Sequence, residues 1–144
     1  MKKILKIGAV LAVLGILAAI YVWFFVYNKP HRDYENATAD YTLSAEAFYK
    51  HYANGSEESK KYLDKVIQVE GVPSSIETTD STVIVAFAFG SGMFGDEGIR
   101  CTLLPNHHSQ VKELDHSETI SIKGHCTGYN GTDVIMEQCS LITK

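Results

Sequence analysis

Three cysteines, Cys101, Cys126 and Cys139, are the residues of this chain with the most distinctive chemistry. In an oxidising compartment two of them are expected to form a disulfide, and the third to stay free or to pair with another chain. None lies in a Cys-x-x-Cys motif, so neither a thioredoxin-like redox centre nor a zinc ribbon is predicted. The cysteines are therefore disulfide candidates rather than catalytic ones.

Histidines and glycines offer two further kinds of site. His107, His108 and His116 fall in one connection, but their spacing does not make three or four metal ligands converge. The glycine-rich segment 90–98 lacks the Gly-Lys-Ser/Thr ending of a phosphate-binding loop, and Asp96 and Glu97 within it would repel phosphate. The sequence thus predicts no metal and no cofactor.

No arrangement of residues predicts catalysis. The serines and histidines lie in no nucleophile elbow, and carboxylate pairs such as Glu57-Glu58 are adjacent in sequence, as solvated surface residues usually are. We therefore expect a protein that is not an enzyme.

An apolar segment at residues 7–26 follows Lys2, Lys3 and Lys6. At about 1.5 Å per residue it is long enough for the roughly 30 Å hydrocarbon core of a bilayer. Its far end is bulky and aromatic, unlike a signal-peptide cleavage site. The prediction is a cytoplasmic N-terminus at 1–6, a single membrane-spanning helix at 7–27 and, from the lysine bias, an extracytoplasmic periplasmic or cell-surface domain.

Charge separates the two parts of the chain. All 17 acidic residues follow Pro30, where only nine of the 13 basic residues lie, so the remainder carries a formal charge of −8. Nucleic-acid binding normally depends on a basic face, so a nucleic acid is an unlikely partner.

After a polar linker at 28–41, residues 42–144 fit one small domain. It begins with a helix from Ala45, capped by Ser44 and ended by Asn54-Gly55, and then a second short helix capped by Ser56. Five runs with strand-like alternation follow, at residues 66–72, 82–89, 99–104, 119–126 and 134–142. With a longer link after the third run, this order predicts a five-stranded OB-fold barrel, mainly β with α.

Short motifs in these runs resemble the bacterial tRNA-anticodon-binding-like (tRNA_anti-like) family of OB-fold proteins. They are residues 61–72 (KYLDKVIQVEGV), 124–128 (GHCTG) and 136–139 (MEQC), together with Cys101. The resemblance covers about residues 44–142. It implies a helical lead-in followed by a barrel, often on membrane-attached chains, and it implies no activity and no tRNA binding.

Asn130-Gly131 predicts a two-residue turn between the last two strands, which sets a register that turns all three cysteines inward. That register disfavours a Cys126–Cys139 bond, and because the third and fifth strands of an OB barrel are neighbours, Cys101–Cys139 is the preferred pair. It also places Glu137 on the inner face, a conflict that a β-bulge would remove. The predicted oppositions are Tyr129 with Thr132, Cys126 with Ile135, and Ile122 with Cys139.

OB barrels bind on the face of the second and third strands, so Arg100, Thr102, Phe94 and Tyr129 are the predicted binding face. The leading hypothesis is a membrane-anchored, non-enzymatic module that binds a protein, a peptide or a small ligand. One alternative is a structural or envelope-stress protein without a ligand. The other, oligonucleotide binding, is disfavoured by the acidity.

Overall fold

The computed structural model describes residues 1–28 and 32–143, which divide into one unit up to Arg32 and another from Asp33. Residues 29–31, which belong to the predicted linker, and residue 144 lie outside the described part. The first unit is helix α1 (Lys2–Val22), which continues as a π-helical turn at Trp23–Tyr27.

This first helix is apolar on all sides. It runs for 26 residues from Lys2 to Tyr27, none of its apolar window is buried, and at 1.5 Å per residue it measures about 39 Å. It is long and apolar enough to cross a membrane. A signal sequence at the same place would pass this test as well.

The second unit begins with a helical lead-in, as predicted. Helix α2 (Ala45–Ala53) starts where the Ser44 hydroxyl accepts a hydrogen bond from the Ala47 N–H at 3.2 Å. A 3₁₀ helix (Glu57–Tyr62) follows, and Ser56 accepts from the Glu58 N–H at 3.2 Å. Ala45, Phe48 and Tyr49 of α2 are buried against the sheet.

One sheet of seven strands forms the rest of the unit. Its hydrogen-bonded order is β1-β2-β6-β7-β5-β4-β3, all neighbours being antiparallel except the parallel pairs β1–β2 and β5–β7. A short 3₁₀ turn (Pro105–His107) and helix α3 (His108–Lys112) fill the connection after β5. The strands are β1 (Tyr41–Ser44), β2 (Val66–Gly71), β3 (Ser75–Thr78), β4 (Val83–Gly92), β5 (Gly95–Leu103), β6 (Ile120–Tyr129) and β7 (Val134–Ile142).

Five of these strands correspond to the predicted runs, and the predicted neighbours β5 and β7 do pair. The predicted closed five-stranded barrel is not confirmed, because two further strands extend the hydrogen-bonded sheet. Strand β1 pairs in parallel with β2. Strand β3 forms after Pro73, a residue that cannot donate a backbone hydrogen bond and so ends the first predicted strand early.

The link between β2 and β3 requires the sheet to curve. In the strand order β2 and β3 are five spacings apart, which in a flat sheet would be about 24 Å. From Gly71 to Ser75 the chain makes four Cα steps, which reach at most about 15 Å. A Cβ placed on Gly71 would lie 3.4 Å from the Phe87 ring of β4, so the two distant strands do approach each other.

The inner face of the curved sheet carries the hydrophobic core. Alternate residues of β2, β4, β5, β6 and β7 are buried there, and α2 covers them from one side. All three cysteines lie in this core, as the sequence predicted. The largest fully buried side chains are Phe48, Phe87, Ile67, Ile99, Ile122 and Met136.

The connection between β6 and β7 differs from the predicted two-residue turn. Tyr129 pairs with Val134, so the loop has four residues, and the Asn130 side chain holds it by accepting hydrogen bonds from the N–H groups of Thr132 and Asp133 at 3.0 and 2.8 Å. The predicted register was wrong for this reason. The observed oppositions are Cys126 with Met136, Gly128 with Ile135, and Ile122 with Leu141.

A β-bulge on β7 resolves the conflict that the predicted register created at Glu137. Gln138 has a φ of 49°, and the register shifts here, so that Glu137 faces solvent opposite His125. The bulge brings Cys139 against Gly124, where a Cβ would lie 2.4 Å from the Cys139 sulfur. Glycine at this position is therefore a packing requirement.

Gly98 on β5 faces a similar constraint. A Cβ there would lie 1.8 Å from the Phe87 carbonyl oxygen, which is backbone and cannot move aside. We expect Gly98→Ala to lower the free energy of unfolding by about 1–3 kcal/mol or more. Gly90→Ala is the matched control in the same hairpin, because its Cβ would make only ordinary contacts at 3.6 Å and beyond. Urea denaturation measures both, and equal losses would contradict this interpretation.

Candidate functional site

A cleft of about 340 Å³ opens on the outer face of β3, β4 and β5. Small residues, Ala86, Ala88 and Gly98, form its floor, since they leave the sheet surface uncovered. Its sides are formed by β3, by the β4–β5 hairpin and by the β6–β7 loop. The polar and aromatic residues that line it are Ser75, Glu77, Phe94, Asp96, Glu97, Arg100, Thr132 and Asp133.

Asp133 fixes the loop side of the cleft to β5. One carboxylate oxygen accepts from the Gly98 N–H at 3.0 Å, and the other accepts from Arg100 Nε at 3.1 Å. Only 13% of the Asp133 side chain is exposed, so both bonds are shielded from solvent. The Asn130 cap orients the loop so that Asp133 points at β5.

Arg100 spans the cleft between two carboxylates. Besides Asp133, its Nη1 donates to the Glu77 carboxylate at 3.3 and 3.5 Å. Burial lowers the pKa of Arg100, but the hydrogen bond and charge of Asp133 and the charge of Glu77 outweigh it, so the pKa lies above its ordinary value. The guanidinium is a fixed charge that is already paired on two sides.

The β4–β5 hairpin carries a carboxylate on each face. On the inner face Tyr49 of α2 donates to Glu97 Oε2 at 3.4 Å, and burial raises the pKa of Tyr49, so this phenol remains a donor. On the outer face Asp96 is exposed. With Glu77 and Asp133, three carboxylates and one guanidinium give the outer cleft a formal charge of −2. The site therefore favours positive charge over phosphate.

Two large apolar side chains stand at the tip of the β4–β5 hairpin. Met93 and Phe94 are 93% and 92% exposed, the highest values for any large apolar residue of the sheet domain that the structure describes. Below them Phe89 stacks on Tyr49 with ring centroids 5.7 Å apart, which attaches the hairpin to α2. The exposed tip therefore borders the cleft on its hairpin side.

The sequence matches the family model described as tRNA_anti-like over residues 1–141. The chain belongs to the tRNA_anti-like family. The match confirms the resemblance found in the strand motifs, and it includes the apolar helix as well as the OB-fold-like domain.

Among solved structures, this tRNA_anti-like chain is similar to one chain in the crystal structure of the S. pombe Stn1-ten1 complex. The two share 12% identity at a TM-score of 0.38, over 55% of this chain and 59% of that one. The alignment thus spans less than two thirds of the other chain, and a likeness at this level carries no argument about function. No curated protein matches the sequence.

The four residues predicted as a binding face of this tRNA_anti-like chain divide into two pairs. Arg100 and Phe94 line the cleft. Thr102 lies half-buried on the same strand, opposite Ile84, and Tyr129 donates its hydroxyl to the Gly131 carbonyl oxygen at 2.9 Å, so neither lines the cleft. Sequence reasoning missed Asp133, which is 33 residues from Arg100 and gives no local signal.

The cysteines make no disulfide in this structure. Cys101, Cys126 and Cys139 are free thiols and fully buried, so the predicted Cys101–Cys139 bond is not supported. Burial raises the pKa of Cys126, although the Tyr52 hydroxyl 3.3 Å away acts in the opposite direction. Burial and the adjacent Cys101 thiol raise the pKa of Cys139. Thiols that are buried and protonated are poor nucleophiles and poor metal ligands.

His107 and His108 form hydrogen bonds with other groups of the domain. His107 bonds Glu35 at 2.8 Å and Gln110 at 3.1 Å, and His108 bonds the Leu103 carbonyl oxygen at 3.1 Å. Within residues 1–28 and 32–143, no three His, Cys, Asp or Glu side chains group as metal ligands would.

A second polar cluster resembles a proton relay. His51 contacts the Glu58 carboxylate through Nε2 at 3.0 Å and the Tyr62 hydroxyl through Nδ1 at 2.9 Å. Tyr62 is only 3% exposed, and burial raises its pKa. The cluster joins α2 to the 3₁₀ helix.

The importance of Asp133 can be measured by comparison with Glu77. Asp133→Ala leaves the Gly98 N–H and Arg100 without their shielded partner, so we expect a loss of about 1–3 kcal/mol in unfolding free energy. The Glu77 side chain is 52% exposed, so Glu77→Ala should lower the free energy of unfolding by less than about 1 kcal/mol. Urea unfolding of both variants tests this, and a larger loss for Glu77→Ala would show that Asp133 does not hold the loop.

Proposed function

We propose that this protein is a membrane-anchored, non-enzymatic module that binds a peptide or a small ligand in the cleft on β3, β4 and β5. The observation that carries the proposal is the cleft itself. It is open, floored by small residues, held in shape by Asp133 and bordered by an exposed apolar tip. Ligand sites are typically preformed concave surfaces of this kind.

The proposal includes closure of the curved sheet into an OB-type barrel. Curvature brings β2 towards β4, and a closed OB-type barrel would place β4 and β5 on one outer face with the β6–β7 loop beside them. That is where OB barrels bind their ligands. The position of the cleft therefore agrees with the proposed barrel.

The proposed location follows from the first helix. Lys2, Lys3 and Lys6 precede the apolar segment, and Trp23 and Tyr27 end it, as in a retained anchor with a cytoplasmic N-terminus. The sheet domain would then lie outside the cytoplasm.

Two other functions compete with ligand binding. A structural or envelope-stress role would need no cleft, and the ordered walls of this one argue against it. Oligonucleotide binding would bring phosphates to a surface whose formal charge is −2. Both alternatives are tested together with the proposal.

The test uses the full chain in neutral detergent, observed through its backbone amide NMR signals. Adding a pool of random nine-residue peptides should shift the amides of Gly95, Gly98 and Arg100, because these line the cleft. Phe94→Ser should weaken the shifts severalfold. Val72→Ser, which also replaces an exposed apolar residue but outside the cleft, is the control and should leave them unchanged.

Other results would favour a competing function. Shifts at the cleft caused by a pool of random single-stranded oligonucleotides, and not by peptides, would support nucleic-acid binding. Cleft amides unmoved by peptides, by oligonucleotides and by a library of small molecules would support a structural role.

The proposed topology has a separate test. All three native cysteines are fully buried, so a thiol reagent needs an introduced site, and Ser81 in the exposed β3–β4 turn provides one. We expect Ser81→Cys to react with a membrane-impermeant maleimide on intact cells, while the wild-type chain does not. Lysed cells give the control for total reactivity. Labelling that requires lysis would place the domain in the cytoplasm.

A further inference from the structure

We propose that a second cavity, at the end of β2, β6 and β7, binds a small organic amine, with the ammonium group at Glu70 and Ser121 and the apolar body against Leu114 and Ile142. This cavity shares no lining residue with the cleft on β3, β4 and β5. Three features support the site: a cavity with an apolar end, a row of side chains set by the strand register, and carboxylates without a cationic partner.

The cavity opens where β2 leaves β6. Gly71, the last residue of β2, pairs with Ile120 at the start of β6, and the chain then continues to β3, which pairs with β4. Among the strands that the structure describes, none takes the place of β2 beside Thr119, and a cavity of about 290 Å³ lies there. Its volume suits a small molecule rather than a chain segment.

One end of the cavity is apolar. Leu114, in the connection between α3 and β6, packs against the core cluster that contains Ile120 and Leu141, and all three side chains line the cavity. Ile142 is half-buried and continues this surface onto the outer face of β7. A short alkyl chain placed here would leave water for an apolar surface that already exists.

The strand register places polar groups next to this apolar end. Glu70 pairs with Ser121, and Ser121 pairs with Ile142, so these three side chains form one row on the outer face of β2, β6 and β7. Directly opposed side chains of antiparallel strands have Cβ atoms about 5 Å apart. Ser121 is 6% exposed, and its oxygen accepts from Gln68 Nε2 at 2.9 Å, which leaves a second lone pair for a ligand donor.

The carboxylates of the cavity have no cationic partner. Within the part of the chain that the structure describes, the side chains of Glu70 and Glu118 form no hydrogen bond and no ion pair, and no lining residue is basic. Lys123, the next residue of β6 on this face, donates to the Ala37 carbonyl oxygen at 2.8 Å and is engaged there. The cavity therefore carries a formal charge of −2, and a ligand ammonium group would compensate half-buried Glu70.

The experiment titrates the full chain, in neutral detergent at neutral pH, with four small molecules and follows the backbone amide NMR signals. Butylamine has the ammonium group and the alkyl chain, methylamine lacks the chain, butanol lacks the charge, and butyrate reverses it. We expect butylamine to shift the amides of Thr119, Ser121 and Thr143, because these residues line the cavity. It should bind at least fivefold more tightly than methylamine or butanol, and butyrate should cause no shift.

Matched variants separate the two parts of the site. Glu70→Gln removes the charge and keeps the shape, so it should weaken butylamine binding at least fivefold and leave butanol binding unchanged. Ile142→Ser should weaken the binding of both molecules, since both use the apolar end. Glu137→Gln removes an exposed carboxylate of β7 outside the cavity and should have no effect. Thermal unfolding without ligand verifies that all three variants fold.

Several results would overturn the amine site. Equal binding of butylamine and butanol would show that the cavity selects an apolar body only, and equal binding of butylamine and methylamine would show that cations merely collect near surface carboxylates. Butylamine binding that survives Glu70→Gln, or no shift with butylamine at all, would also contradict it. The amides of Gly98 and Arg100 lie in the cleft and should not move with butylamine, so this site and the proposed peptide-binding cleft fail or succeed separately.

Discussion

The short link between β2 and β3 imposes the constraint on which the rest of the domain depends. Strand β2 cannot continue in line through Pro73, because proline has no N–H to donate to the ladder. The chain instead leaves β6 and joins β4, on the far side of the sheet. This single change of partner bends the sheet, encloses the core around Phe87 and turns the outer face of β3, β4 and β5 towards solvent.

The cleft depends on the pairing of β5 with β7. Val134 lies opposite Ile99, so the β6–β7 loop lies beside β5 and Asp133 can bond both Gly98 and Arg100. Small residues are needed where strands approach closely, which explains why Gly98 lies in the floor of the cleft. The packing requirement of the fold and the open floor of the site are therefore satisfied by the same residue.

Local patterns in the sequence predicted much of this fold. The five main strands, the Ser44 and Ser56 helix caps and the inward cysteines follow from alternation and capping chemistry, which depend on neighbouring residues. The register of β6 and β7 did not follow, since the four-residue loop gives no clear local signal, and the bulge at Gln138 was indicated only by the conflict at Glu137. The pairing of Asp133 with Arg100 depends on tertiary structure and could not be predicted.

Acidity has different consequences in the whole chain and in the cleft. Over the whole domain, a formal charge of −8 serves solubility and gives no information about a ligand. In the cleft the fold brings Glu77, Asp96 and Asp133 together, and Arg100 compensates Glu77 and Asp133. The fold therefore partly neutralises the acidity of the composition at the place where it concentrates it.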